Sequence, residues 1–162
     1  MLLARSKKIS GPSSSSFNPL HWVLLRQHPS SKHRMHYDAS ILLVDDYEFI
    51  RTILERMLQQ LGYQNLRMAV DGVEALNLLR SQPVDLVITD YHMPEMDGIG
   101  LFQAMQQDPV LARIPVLLIS GVPTEKFVTQ ALAIGIQSTL NKPFRAEQLD
   151  QEIQSILTRS LS

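Results

Sequence analysis

Four apolar runs in this 162-residue chain lead into side chains that can do chemistry. Ile41 to Val44 ends in Asp45 and Asp46, Leu86-Val87-Ile88 leads through Thr89 to Asp90, Val116 to Ile119 ends in Ser120, and Thr139-Leu140 leads through Asn141 to Lys142. Short apolar runs bounded by turn signals are what buried strands show. Each chemical group therefore falls at the C-terminal mouth of a strand, which predicts one shared site at the carboxyl edge of a parallel sheet. Three carboxylates meeting there repel one another unless a cation joins them, and their oxygens suit a hard, octahedral ion such as Mg²⁺. Phosphoryl transfer requires an in-line nucleophile and positive charge on the equatorial oxygens. Asp90 is the candidate nucleophile, forming an acyl phosphate as carboxylates do in covalent catalysis. The metal and Lys142 would neutralise the phosphoryl oxygens, and Ser120 would donate a hydrogen bond to one of them. Taken singly, Asp45 or Asp46 could serve as a helix N-cap, Ser120 as a strand-end cap and Lys142 as a solvated charge; their joint placement is the signal.

The elements that must position these groups alternate regularly. Apolar residues Phe49, Ile53, Leu54, Met57, Leu58 and Leu61 recur at helical spacing, so a helix is expected from Glu48 to Leu61, closed by Gly62. Leu66 to Val70 reads as an edge strand. Asp71-Gly72 opens a second helix with Val73, Leu76, Leu78 and Leu79 apolar. Asp97 caps a third carrying Leu101, Phe102 and Met105, and Thr124 caps a fourth that Gly135 stops. A last helix carries Leu149, Ile153, Ile156 and Leu157. Five strands alternating with five helices predict an α/β fold, a doubly wound parallel sheet with helices on both faces. The flavodoxin-like order 2-1-3-4-5 sets strands one and three side by side at the switch point, bringing Asp45, Asp46 and Asp90 together.

The acidic pair, the run Asp90-Tyr91-His92-Met93-Pro94-Glu95-Met96-Asp97-Gly98, the hydroxyl at Ser120 and Lys142-Pro143-Phe144 together resemble the receiver domain of two-component response regulators, over about Ser40 to Thr158. The resemblance implies that Asp46 and Asp90 contact Mg²⁺ directly, Asp45 mainly through water, and the backbone carbonyl of His92 completes the protein ligands. It implies phosphoryl transfer from a histidine kinase or phosphotransfer protein to Asp90, output through a downstream protein, and a cis Lys142-Pro143 bond. Such a chain is a phosphoacceptor that assists its own phosphorylation and dephosphorylation, not a conventional enzyme. A second copy of the chain is a further candidate partner. With Lys126, Gln130, Arg145 and Gln148 expected on the face of the fourth helix, fifth strand and fifth helix, that face is the expected output surface. The chain departs from the family at Thr139, where many receivers carry an aromatic ring. Two other readings stand beside this one: a Mg-dependent small-molecule phosphohydrolase, against which His92 stands where such enzymes commonly place a second acid, and a receiver-like binding module without phosphorylation.

Charge divides the chain. Residues 1–37 hold six Lys/Arg, four of the five histidines and no acid, whereas residues 38–162 hold nine Lys/Arg against all sixteen acids, a balance of −7. The first stretch reads as a disordered basic arm, with Met35 as a candidate alternative start, and residues 38–162 as the receiver domain. An acidic domain repels phosphate backbones, so no direct nucleic acid ligand is expected. There is no cysteine, hence neither a disulfide framework nor a thiolate metal site. No apolar run approaches the roughly 20 residues a membrane-spanning helix needs, and a cytoplasmic chain is expected.

Overall fold

The computed structural model describes residues 36–121 and 124–162; most of the sequence-predicted arm lies outside them. Five strands, β1 (Ser40–Val44), β2 (Asn65–Ala69), β3 (Leu86–Asp90), β4 (Val116–Ser120) and β5 (Ser138–Asn141), alternate with five helices. These are α1 (Glu48–Leu61), α2 (Gly72–Ser81), α3 (Gly98–Gln106), α4 (Glu125–Ile134) and α5 (Ala146–Ser160), with a 3-10 turn at Leu111–Arg113. All strand pairs are parallel, in the order β2-β1-β3-β4-β5. This is the doubly wound, flavodoxin-like sheet expected from the alternation.

Period-two alternation divides the core into two layers. Leu42, Val44, Val87 and Leu118 pack with residues of α2, α3 and α4, while Ile41, Leu43, Leu86, Ile88, Leu117 and Ile119 pack with residues of α1 and α5. Central strands buried on both faces are near-continuously apolar for this reason, and the carboxyl ends of β1, β3 and β4 are thereby held in register: Val44 pairs with Thr89, and Asp90 with Ile119.

Helix ends follow the local chemistry. Gly62, at φ 112°, closes α1: its N–H donates to Leu58 and Gln59 carbonyls, and Tyr63 N–H donates to Leu58, the left-handed closure that only glycine adopts without penalty. Asp71, Asp97 and Thr124 cap α2, α3 and α4 by accepting from the N–H groups of Glu74, Gly100 and Phe127.

One strand boundary is corrected, and two details are added. Phe49 and Ile53 of α1 and Val73 of α2 match the helical period but are 74%, 40% and 46% exposed; among the described residues of α1 only Leu54 and Leu58 are fully buried. The edge strand is Asn65–Ala69, one residue earlier than expected, because Val70 N–H leaves the ladder and donates to the Glu74 carboxylate at 2.7 Å. His36 and Tyr37, grouped with the arm from sequence, touch the folded domain: His36 N–H donates to Gln154 Oε1 of α5 at 3.0 Å, and the Tyr37 ring packs edge-on to Tyr63, just past α1, at 5.1 Å.

Tyr63 anchors that corner. Its hydroxyl, fully buried, donates to Asp150 Oδ1 and accepts from Gln154 Nε2, both at 2.7 Å. Burial and then the Asp150 carboxylate push the phenol's pKa up, so the hydroxyl stays a donor throughout the neutral range. Tyr63→Phe leaves a carboxylate oxygen and an amide without this partner, and a loss of about 1–3 kcal/mol in urea unfolding is expected; an unchanged midpoint would show that the hydroxyl contributes nothing net.

Candidate functional site

The strand order sets Asp45 and Asp46, just past β1, beside Asp90 at the end of β3. Carboxylate oxygens of the three lie within 4.8 Å of one another. Lys142, just past β5, reaches back over β4: its Nζ is 2.8 Å from Asp90 Oδ1 and 3.8 Å from Asp45 Oδ2. Its backbone is set by N–H donation to the Ser120 carbonyl at 2.8 Å, and the Lys142–Pro143 bond is cis. Ser120, fully buried, closes β4 on the same edge. Asp45, Asp46, Asp90, Ser120 and Lys142, picked out by sequence, thus all stand at one sheet edge. The backbone of His92 follows Asp90 by two residues, and its exposed ring packs on the Tyr91 ring at 4.4 Å.

Several supports carry no strong local signal. Asp45 is 2% exposed; its carboxylate accepts from Tyr47 N–H at 2.9 Å, and the Arg51 guanidinium of α1 donates to its backbone carbonyl. The acidic pair is thereby clamped to the first turns of α1. Tyr91 N–H donates to the Ile119 carbonyl at 2.8 Å, tying the end of β3 to β4. The Tyr91 ring also lies 4.7 Å from that of Phe127 on α4. Thr139, at the place where an aromatic is common in receivers, is half-buried on β5; the ring contact toward α4 comes instead from the residue after Asp90. Lys126 and Gln130, expected on the output face, are exposed and line a hollow with Tyr91 and His92.

The donor set fits a hard divalent cation. Asp46 Oδ1 is buried with no hydrogen-bond partner among the described residues, an arrangement costly for an anionic oxygen unless a cation satisfies it. Oxygen-only ligands from carboxylates suit Mg²⁺. Burial, foremost, raises the pKa of Asp45; donation from Tyr47 N–H opposes the rise, Asp90 adds to it, Lys142 opposes it and Asp46 adds to it.

That shift has a signed consequence. Because the folded pKa lies above the unfolded one, the contribution of Asp45 to stability is most favourable below the ordinary carboxylate value of about 3.9 and is lost as pH rises through the raised value. Asp45→Asn is therefore expected to raise the metal-free melting temperature by several degrees at neutral pH, with the gain disappearing toward pH 4. Melting curves across that range check it, and a gain that grows on acidification would have the wrong sign.

Comparison with known proteins agrees with this geometry. The model of the response regulator receiver domain family matches residues 41–154. The chemotaxis protein CheY of Pseudomonas aeruginosa is 36% identical over 119 residues, covering 74% of this chain and 96% of that protein. Chemotaxis protein CheY-3 of Vibrio cholerae is 34% identical over 122 residues, covering 75% and 94%. Among solved structures, the receiver domain of a sensor histidine kinase from Pseudomonas aeruginosa, with a magnesium ion coordinated in its active-site cleft, superimposes with a TM-score of 0.68 at 26% identity, covering 75% of this chain and 98% of that one. With its sheet order, acidic cluster and sequence relatives in agreement, the chain belongs to the response regulator receiver domain family.

Proposed function

We propose that this chain is a phosphorylatable signalling receiver in which Asp90 accepts the phosphoryl group. The observation that carries the reading is the Lys142 Nζ to Asp90 Oδ1 contact of 2.8 Å beside two further carboxylates: one oxygen of Asp90 is aligned by the lysine ammonium at a strand end. In the forward step an Asp90 carboxylate oxygen attacks the phosphorus of a phosphohistidine. The P–N bond breaks, the imidazole leaves with its electron pair, and an acyl phosphate remains. In the reverse direction water attacks the same phosphorus, and the P–O bond to Asp90 breaks to release phosphate. Asp45, Asp46, Asp90 and the His92 carbonyl would hold Mg²⁺, which when bound supplies charge neutralisation for the phosphoryl oxygens. Lys142 would shift its ammonium from the free carboxylate onto a phosphoryl oxygen, and the Ser120 hydroxyl would donate to another.

The phosphodonor is a histidine kinase or phosphotransfer protein, and the output is a contact with a downstream protein. Phosphorylation adds negative charge and strong acceptor oxygens, biasing the start of α4 between two arrangements. Tyr91, packed on Phe127 of α4, supports such coupling. Incubation with acetyl phosphate and Mg²⁺ followed by intact mass tests the reading. A single phosphoryl adduct is expected; turnover of the donor without an adduct would indicate a phosphohydrolase, and neither would indicate a binding module.

A further inference from the structure

The opposite pole of the sheet carries a second feature. Asp90, Ser120 and Lys142 lie at strand C-termini, but a hollow of about 290 Å³ opens at the N-terminal ends of β4 and β5, between the last turns of α3, α4 and α5. The two sites stand at opposite ends of the strands, about 13 Å apart along β4 at its ordinary rise. The lining of the hollow is mixed: Phe102, Val116, Ile134 and Ile156 contribute apolar edges, and two arginines, Arg113 and Arg159, stand among them with Gln106 and Gln137. Among the described residues no Asp or Glu lines it, although residues 38–162 hold sixteen acids against nine basic residues.

We infer that this hollow binds a small organic carboxylate with an apolar body. Arg159 is already oriented for such a ligand. Its Nη2 donates at 2.9 Å to the hydroxyl of Ser138, itself only 5% exposed, and its Nε donates to the Ser155 carbonyl at 3.3 Å. A planar guanidinium fixed at two of its nitrogens has lost most of its rotamer freedom before binding, so less is lost when an anion docks. Neither Arg113 nor Arg159 forms an ion pair among the described residues. Other carbonyls at the neighbouring helix ends have donors of their own. Gly135 and Ile136 N–H groups donate to the Leu132 and Ala131 carbonyls, and the Ser160 hydroxyl donates to that of Ile156. Charge-assisted bonds from guanidinium to carboxylate are among the stronger polar contacts available. The combination of apolar edges, convergent arginine and amide groups and a volume near the lower end of small-molecule pockets favours a compact aryl or branched alkyl acid.

The inference stands apart from phosphorylation, since none of its residues touches the acid cluster. 1-Naphthoate serves as the probe, titrated into the full chain by calorimetry and by two-dimensional NMR, with 1-naphthamide as its neutral counterpart. Saturable binding with a Kd on the order of 0.1–1 mM is expected, with amide shifts centred on Gln106, Gly135 and Gln137. The amide probe and Arg159→Gln should each weaken binding at least tenfold. Arg113→Gln, at an exposed position where refolding is not at issue, should weaken it several-fold. Absence of saturation, equal affinity for the neutral probe, retained affinity in both arginine variants, or shifts centred on Asp46, Asp90 and Lys142 would each overturn the site.

Discussion

Lys142→Ala is expected to slow phosphorylation of Asp90 by about two to three orders of magnitude, the usual cost of deleting one preorganised charge partner of a developing oxyanion. The same change is expected to bind Mg²⁺ several-fold more tightly. The ammonium stands 2.8 Å from Asp90 and 3.8 Å from Asp45, so it competes with a second cation for the same carboxylates. Unit charges near 4 Å interact by roughly 4 kcal/mol at an effective dielectric of 20, reduced here by solvent because Lys142 is about one-third exposed. A purely structural role cannot produce opposite signs in the two measurements. Rates from a phosphodonor time course and affinities from a metal titration, read on the same preparation, separate the possibilities. Equal loss in both would mean that the lysine merely holds the site together.

Gly98→Ala is expected to cost about 1–3 kcal/mol in stability and to slow phosphorylation about a hundredfold. A Cβ at Gly98 would stand 2.5 Å from the backbone carbonyl oxygen of Asp90 and 2.5 Å from Leu118 Cδ1. The first is main chain and cannot rotate away. Alanine's better helix propensity, about 1 kcal/mol over glycine, is too small to offset that overlap at the start of α3. Either α3 retreats or the end of β3 moves, and the latter displaces the nucleophile; a 1 Å misplacement can cost 10²-fold. Gly121→Ala is the control. A Cβ there meets nothing within 4 Å among the described residues, so stability should change by less than about 0.5 kcal/mol. If both variants behaved alike in urea unfolding and in labelling, the close packing of Gly98 on Asp90 would not matter.

The strand ends were legible because each local pattern pointed to the same arrangement. Apolar runs bounded by turns marked buried strands, and the alternation with helices left few topologies, so Asp45, Asp46, Asp90, Ser120 and Lys142 could be placed together before any contact was known. The exposure of Phe49, Ile53 and Val73 was not legible, for a physical reason. A helical period marks an apolar stripe but not how much of it the neighbouring layer can cover, and β2 is the last strand of the sheet on that side. The Tyr63, Asp150 and Gln154 network was not legible at all. Its members lie 87 and 91 residues apart in pairs, and each residue alone looks like an ordinary helix or turn position. The same holds for Arg51, whose value to the site comes from a carbonyl six residues earlier, and for the Tyr91 to Phe127 contact, which requires the α4 packing to be known.

The assignment of Asp90 as phosphoacceptor is tested most directly by reductive trapping. The full chain is phosphorylated with acetyl phosphate and Mg²⁺, reduced with borohydride, digested and mapped by mass. Borohydride converts an acyl phosphate, and not a free carboxylate, to the alcohol, so homoserine at position 90 and at no other aspartate is the expected result. An unmodified Asp90 accompanied by homoserine at position 45 or 46, or a phosphoryl group on the Ser120 hydroxyl, would contradict it.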